Sequence, residues 1–149
     1  MSISLSTLIG ITGHPFRSGN SNTITVTPNT ATAFVTFASP TYNVDNWFDG
    51  TTGAFVPKTA GYYQINASVE YGNGLIASIA SVAIYKNGSL FSNAINCTGS
   101  SIGYPRISLS DVIYFNGTSD YIQIYASHNA SSSASGVIAL FSGSLVSNQ

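Results

Sequence analysis

The sequence predicts an all-β protein of ten strands, a two-sheet sandwich or jelly roll. Three observations carry this. Apolar and polar residues alternate almost without error from Tyr62 to Tyr71, no stretch has helical periodicity, and short apolar runs recur between clusters of Gly, Asn and Ser. At 149 residues the chain is the length of one domain and can bury a core without disulfide staples.

Taken in order, "SISLSTLI" sets Ile3, Leu5 and Thr7 against Ser and predicts a strand over Ile3–Ile9. "TITVT" predicts a second over Thr23–Thr27, and "GHPFRSGNSN" between them has the Gly, Pro and Asn of an irregular loop. Further strands are expected over Ala33–Ala38 and Ala54–Val56, with Asp49-Gly50 and Thr52-Gly53 closing a tight connection. In the strand Tyr62–Tyr71, Tyr63, Ile65, Ala67, Val69 and Tyr71 share one face, and Tyr62, Gln64, Asn66, Ser68 and Glu70 share the other. Ala80–Tyr85 and Ser89–Ala94 are expected to pair through Asn87-Gly88, since both residues tolerate positive φ, and Asn116-Gly117 repeats that hairpin signal after Ile107–Phe115. Tyr121–Ala126 and Val137–Val146 complete the set, and "HNASSSAS", from His128 to Ser135, reads as an exposed loop between them.

Two strands depart from simple alternation. "VIALFSGSL" and "VIYF" are apolar at both parities, which implies a second buried surface outside the core. Tyr62, Val112, Tyr114, Ile138 and Leu140 are therefore expected at a contact between subunits, while Gln64 and Glu70 suit either a neighbouring subunit or solvent.

Charged residues make up 6% of the chain, against roughly 25% in an ordinary soluble domain. With a net charge of −1 there is no basic stripe to meet phosphates, so nucleic acid is not an expected partner. No apolar run reaches the ~20 residues that span a bilayer, so membrane insertion is not expected. Met1–Gly10 lacks the pattern of a signal peptide, and the chain is expected to be made in the cytosol. The single Cys97 reads as a small buried hydrophobe. Asn66, Asn87, Asn96, Asn116 and Asn129 each begin a glycosylation match of the kind this Asn- and Ser-rich composition produces by chance.

Residues able to carry chemistry are few. Asp45, Trp47, Phe48 and Asp49 form the one cluster of carboxylates with aromatics. Asp45 and Trp47 suit a glycan contact, beside the plainer reading that Trp47 packs at a sheet corner. His14 and His128 lie in unrelated segments and read as surface-loop residues; the five acids do not cluster, and no nucleophile elbow occurs. No catalysis, metal or cofactor is expected.

The order Asp49-x-x-Thr52-Gly53-x-Phe55, Ala60-Gly61-x-Tyr63, Lys86-Asn87-Gly88, Asp120, Phe141-Ser142-Gly143-x-Leu145 resembles the globular-head jelly roll of complement subunits and tumour necrosis factor relatives. Pro57 comes one position earlier than in the commonest form of that pattern, and Ser119 stands where Gly usually precedes the aspartate. The resemblance runs from Ala33 to Val146, and the version here is similar to forms found in phage virion proteins and some bacterial surface proteins. It implies structural roles for Asp49, Gly53, Phe55, Gly61, Tyr63, Asn87, Gly88, Asp120, Phe141 and Gly143, and assembly as a homotrimer.

The domain expectation is thus a β-rich arm over residues 1–32, docking on a partner or completing the subunit's own sheet, followed by a jelly roll over 33–149. Phe16 and Arg17 are the expected docking pair of the arm. The function expected is that of a non-enzymatic virion structural protein. It would be a capsid decoration, or cement, protein on the capsid exterior that binds the major capsid protein, a chain starting at its own Met favouring this. The alternative is the receptor-binding tip of a phage fibre, recognising a host surface glycan or protein.

Overall fold

The structure is a computed structural model that describes residues 13–19, 22–72, 75, 77, 79–97 and 105–148. The expected strand Ile3–Ile9 lies outside them. Among the described residues twelve strands run in chain order: β1 (Phe16–Arg17), β2 (Ile24–Val26), β3 (Thr32–Ala33), β4 (Tyr42–Asn43), β5 (Phe48–Asp49), β6 (Ala54–Phe55), β7 (Gly61–Glu70), β8 (Ile79–Lys86), β9 (Ser89–Cys97), β10 (Arg106–Phe115), β11 (Ile122–His128) and β12 (Ala134–Ser147).

They form two antiparallel sheets in a jelly-roll sandwich. Sheet I has the order β10-β7-β12-β1-β4, with β2 also on β12; sheet II has the order β5-β6-β11-β8-β9, with β3 on β11. Sheet I rests on two long ladders, Arg106↔Glu70 to Phe115↔Gly61 and Ile138↔Glu70 to Leu145↔Tyr63. Because side chains alternate, these registers put Tyr63, Ile65, Ala67 and Val69 in the core with Ile113, Ala139 and Phe141.

An aromatic cluster fills the space between the sheets near β1. The Phe16 ring stacks on Phe55 with centroids 4.2 Å apart and on Phe48 at 5.2 Å, and meets Phe141 edge-on at 4.9 Å. Phe16 is the register partner of Gly143. A Cβ at position 143 would lie 2.8 Å from the Phe16 ring and 2.7 Å from Ile65 Cδ1, so only glycine leaves room for the aromatic.

Several elements differ from the expectation. The loop expected around Phe16 contains β1, which sits between β12 and β4: two residues are too few for periodicity to reveal, and burial of Phe16 fixes them. β4 and β5 are equally short. Of Ala33–Ala38 only the first residue belongs to a strand, because the chain turns to place both Phe34 and Phe37 in the core. Asn87 and Gly88 form the expected hairpin turn, with φ of 52° and 78°. Asn116-Gly117 does not form a hairpin: β10 and β11 belong to different sheets, and the segment crosses between them.

The segment from His128 to Ser135 is not a uniformly exposed loop. His128 ends β11 with 2% of its surface exposed, and Ala130 and Ala134 are buried. The His128 Nδ1 accepts the Ala130 N–H at 3.1 Å while Nε2 donates to the Val26 carbonyl at 2.9 Å, so the ring staples β2 to β11. The surface-loop reading of this histidine fails because its two ring nitrogens satisfy backbone groups that the fold buries.

Candidate functional site

The outward face of sheet I collects every residue expected at a subunit contact. On β7 the outward parity is Tyr62, Gln64, Asn66, Ser68 and Glu70; register then places Tyr114 opposite Tyr62, Val112 opposite Gln64, Leu140 opposite Ser68 and Ile138 opposite Glu70. Tyr62, Val112 and Tyr114 are 40%, 48% and 36% exposed, and the two tyrosine rings lie 5.3 Å apart. Ile138 and Leu140 are half-buried.

These residues share a face but do not form one patch. Tyr62 and Ser68 are six residues apart, about 20 Å along the strand. Between the apolar ends lies a belt of hydrogen-bonded amides and hydroxyls: Gln64 Nε2 donates to Ser110 Oγ at 2.8 Å, which donates to Asn66 Oδ1 at 2.8 Å. Glu70 pairs with Arg106 across the ladder, the guanidinium Nε donating at 3.0 Å.

The belt opens into a groove of about 450 Å³, with Arg17 and Tyr42 at one side, Ser108 and Ser110 at the other, and Asn66, Ser68 and Ser142 between. Arg17, one of the two residues expected to dock, is an exposed member of this groove. Phe16 is not available for docking: with 1% of its surface exposed, it is a core residue of its own subunit. The described part of the arm adds β1 and β2 to sheet I, both against β12. Tyr42 and Ser142 were not singled out from sequence; the strand register that brings them together is set by contacts far away in the chain.

A further apolar surface was also missed. Among the described residues β9 is an edge strand of sheet II, and Leu90, Phe91 and Ile95 on it are exposed. Phe91 falls where the register slips by one residue, Ile84 facing Ser92 and Tyr85 facing Leu90, so it bulges out of the ladder.

Of the residues named by the sequence resemblance, Asn87 and Asp120 share one hydrogen-bonded network and Asp49 holds a separate turn. Asp120 accepts hydrogen bonds from Asn87 Nδ2 at 2.9 Å and from the Asn116 N–H at 3.0 Å, and pairs with Lys86 Nζ at 3.0 Å. Burial by itself would raise the Asp120 carboxyl; the hydrogen bonds from Asn87, Lys86 and Asn116, with the Lys86 charge, outweigh it and hold the group below the usual carboxylate range. Asn116 Oδ1 in turn accepts the N–H groups of Thr118, Ser119 and Asp120, which forms the turn without a glycine at 119. Asp49 accepts the Thr51 hydroxyl at 2.7 Å and the Thr51 N–H at 2.8 Å, which lower its carboxyl.

Asp45 and Trp47 do come together, but around a histidine. His14 Nδ1 lies 2.8 Å from Asp45 Oδ2, and its ring stacks on Trp47 with centroids 4.5 Å apart. Trp47 also packs against the core, so the indole surface that a sugar ring would use is largely covered. Among the described residues no group of three or more His, Cys, Asp or Glu side chains converges as a metal site, and no serine hydroxyl hydrogen-bonds to either histidine ring. No helix among them is long and apolar enough to cross a membrane.

Comparison with known proteins places the fold. No family model matches the sequence, and no curated protein matches it. Among solved structures, the globular domain of zebrafish complement 1qA protein is similar over 91% of this chain and 98% of its own, with a TM-score of 0.66 and 15% identity. The Eiger TNF of S. frugiperda matches over 92% and 94%, at 0.68 and 7%. PRD1 vertex protein P5 matches over 93% and 99%, at 0.68 and 17%. At these identities the likeness is one of fold: the chain has the jelly roll of the complement globular domain, the Eiger TNF and PRD1 vertex protein P5.

Proposed function

We propose that this chain is a non-enzymatic structural protein of a virion surface, working as a homotrimer, and that it decorates the capsid exterior by binding the major capsid protein. The observation that carries the reading is the gathering of Tyr62, Val112, Tyr114, Ile138 and Leu140 on the outward face of sheet I. A single subunit gains nothing from exposing tyrosine and valine there, whereas a second copy removes them from water. The low charge of the chain fits a surface covered by neighbours, and the same fold in PRD1 vertex protein P5 supports a place on a virion.

Decoration of the shell is favoured over a receptor-binding tip because the one tryptophan is stacked on His14 and packed on the core rather than open to a sugar. Gold labelling of a C-terminal tag on intact particles tests this. Label spread over the head supports decoration; label confined to a tail or fibre end, with binding on a glycan array that is lost in Trp47→Ala, establishes the tip instead. Sedimentation equilibrium tests the assembly: three times the 15.6 kDa chain mass is expected, and a monomer at micromolar concentration would overturn it.

A further inference from the structure

We infer that Arg17 and Asp111 are the two halves of an ion pair made between subunits, with the β9–β10 edge of one copy seated in the sheet I groove of the next. This rests on the homotrimer reading and names its contact.

The charges of the described residues are mostly accounted for within the subunit. His14 pairs with Asp45, Lys86 with Asp120 and Arg106 with Glu70. Lys58 Nζ reaches the Thr118 carbonyl and Asp49 is held by Thr51. The Arg17 side chain has no ion pair or hydrogen bond among the described residues, and the Asp111 side chain meets only the N–H of Val112, at 2.8 Å. An exposed cation in a groove and a carboxylate with spare lone pairs are left over.

They cannot meet in one subunit. In the order β10-β7-β12-β1 they stand three strand spacings apart, about 14 Å, and the strand registers send them to opposite faces of sheet I. Arg17 lines the outward groove at the far side of the sheet from β10. Asp111 shares the inward parity of Ile113 but sits on the edge strand, where it is half-buried beside the open edge of the sandwich.

The remaining features of the two surfaces complement each other. The edge carries Val112 and Tyr114 on one flank and Leu90, Phe91 and Ile95 on the other, exposed apolar side chains around one carboxylate. Burying an edge strand requires partners for its free N–H and C=O groups. The groove offers them in Asn66, Ser68, Ser108 and Ser142, with Arg17 to meet the carboxylate. A head-to-tail contact of this edge with the groove of the next copy repeats around a closed ring, as the homotrimer reading requires.

The test is a charge swap read by sedimentation equilibrium, with thermal melting to verify folding. Arg17→Glu and Asp111→Arg are each expected to raise the concentration of half-dissociation by about thirtyfold or more, since each places like or unpaired charges in a desolvated contact. The double variant Arg17→Glu/Asp111→Arg should return to within about threefold of the parent. A direct measurement does not depend on those losses: in a Cys97→Ser background, Arg17→Cys with Asp111→Cys should cross-link under oxidation into species of up to three chains. A wild-type trimer indifferent to both reversals, or lost in both but not restored by the swap, with no cross-link, overturns this pairing and leaves the trimer standing. A wild-type monomer overturns both.

Discussion

Replacing Phe16 by alanine should cost the subunit roughly 4 kcal/mol. Complete burial of a phenylalanine stabilises a fold by about 1.5–3 kcal/mol, and large-to-small changes at such sites cost about 3–5 once the cavity is included. Phe16 belongs in the upper part of that range for two reasons visible in the structure. Its ring contacts Phe48, Phe55 and Phe141 together, and its cross-strand partner Gly143 has no side chain with which to fill the void. Guanidinium chloride unfolding at fixed protein concentration gives the loss from the midpoint at constant slope, and the melting temperature should fall by roughly 10 °C. Arg17→Ala, one residue away and exposed, should change subunit stability by less than about 0.5 kcal/mol. A Phe16→Ala protein that loses less than about 1 kcal/mol while failing to bind particles would refute the core assignment and restore Phe16 to the docking surface.

Three further outcomes follow from the same packing and hydrogen bonds. Asp introduced at Ile138 or Leu140 should dissociate the trimer, since an uncompensated charge in a desolvated contact costs several kcal/mol; two variants that both sediment as trimers would exclude this end of the face from the interface. Asp120 titrates below its unfolded value, so its contribution is present above about pH 4 and is lost as pH falls through the folded value; Asp120→Asn should flatten the fall in unfolding free energy between pH 5 and pH 2, and an unchanged slope would contradict the network. Tyr63 and Tyr71 are raised to about 12, Tyr63 by burial and then the Asp45 charge, Tyr71 by burial against opposing hydrogen bonds at Ser81 and Ser127. Both stabilise the fold below about pH 10 and lose that contribution as pH rises towards 12; ultraviolet titration of Tyr63→Phe and Tyr71→Phe should each remove one late-ionising phenol, and no change in the late phase would show those hydroxyls to be free.

The long strands were legible in the sequence because each carries its own evidence. From Tyr62 to Tyr71 every second side chain is buried, and that period survives whatever the strand pairs with. The doubled apolar character of β10 and β12 has its counterpart in the fold, where Val112, Tyr114, Ile138 and Leu140 all lie on the outward side of sheet I. The Asn87-Gly88 turn was equally local, both residues taking the positive φ that their side chains permit.

What the tertiary structure alone decided concerns residues whose role depends on a distant partner. Phe16 looked free because its loop has no period; Gly143, more than a hundred positions away, makes the space that buries it. His128 looked like part of a serine-rich loop until the Val26 carbonyl was placed against its ring. Asn116-Gly117 had the chemistry of a hairpin, but the strands on either side joined different sheets, where their apolar faces are covered. Composition and alternation determined that this chain is an all-β sandwich, and the order of its motifs pointed to the jelly roll; long-range pairing determined which side chains remain on the surface, because burial belongs to a site in space and not to a position in the chain.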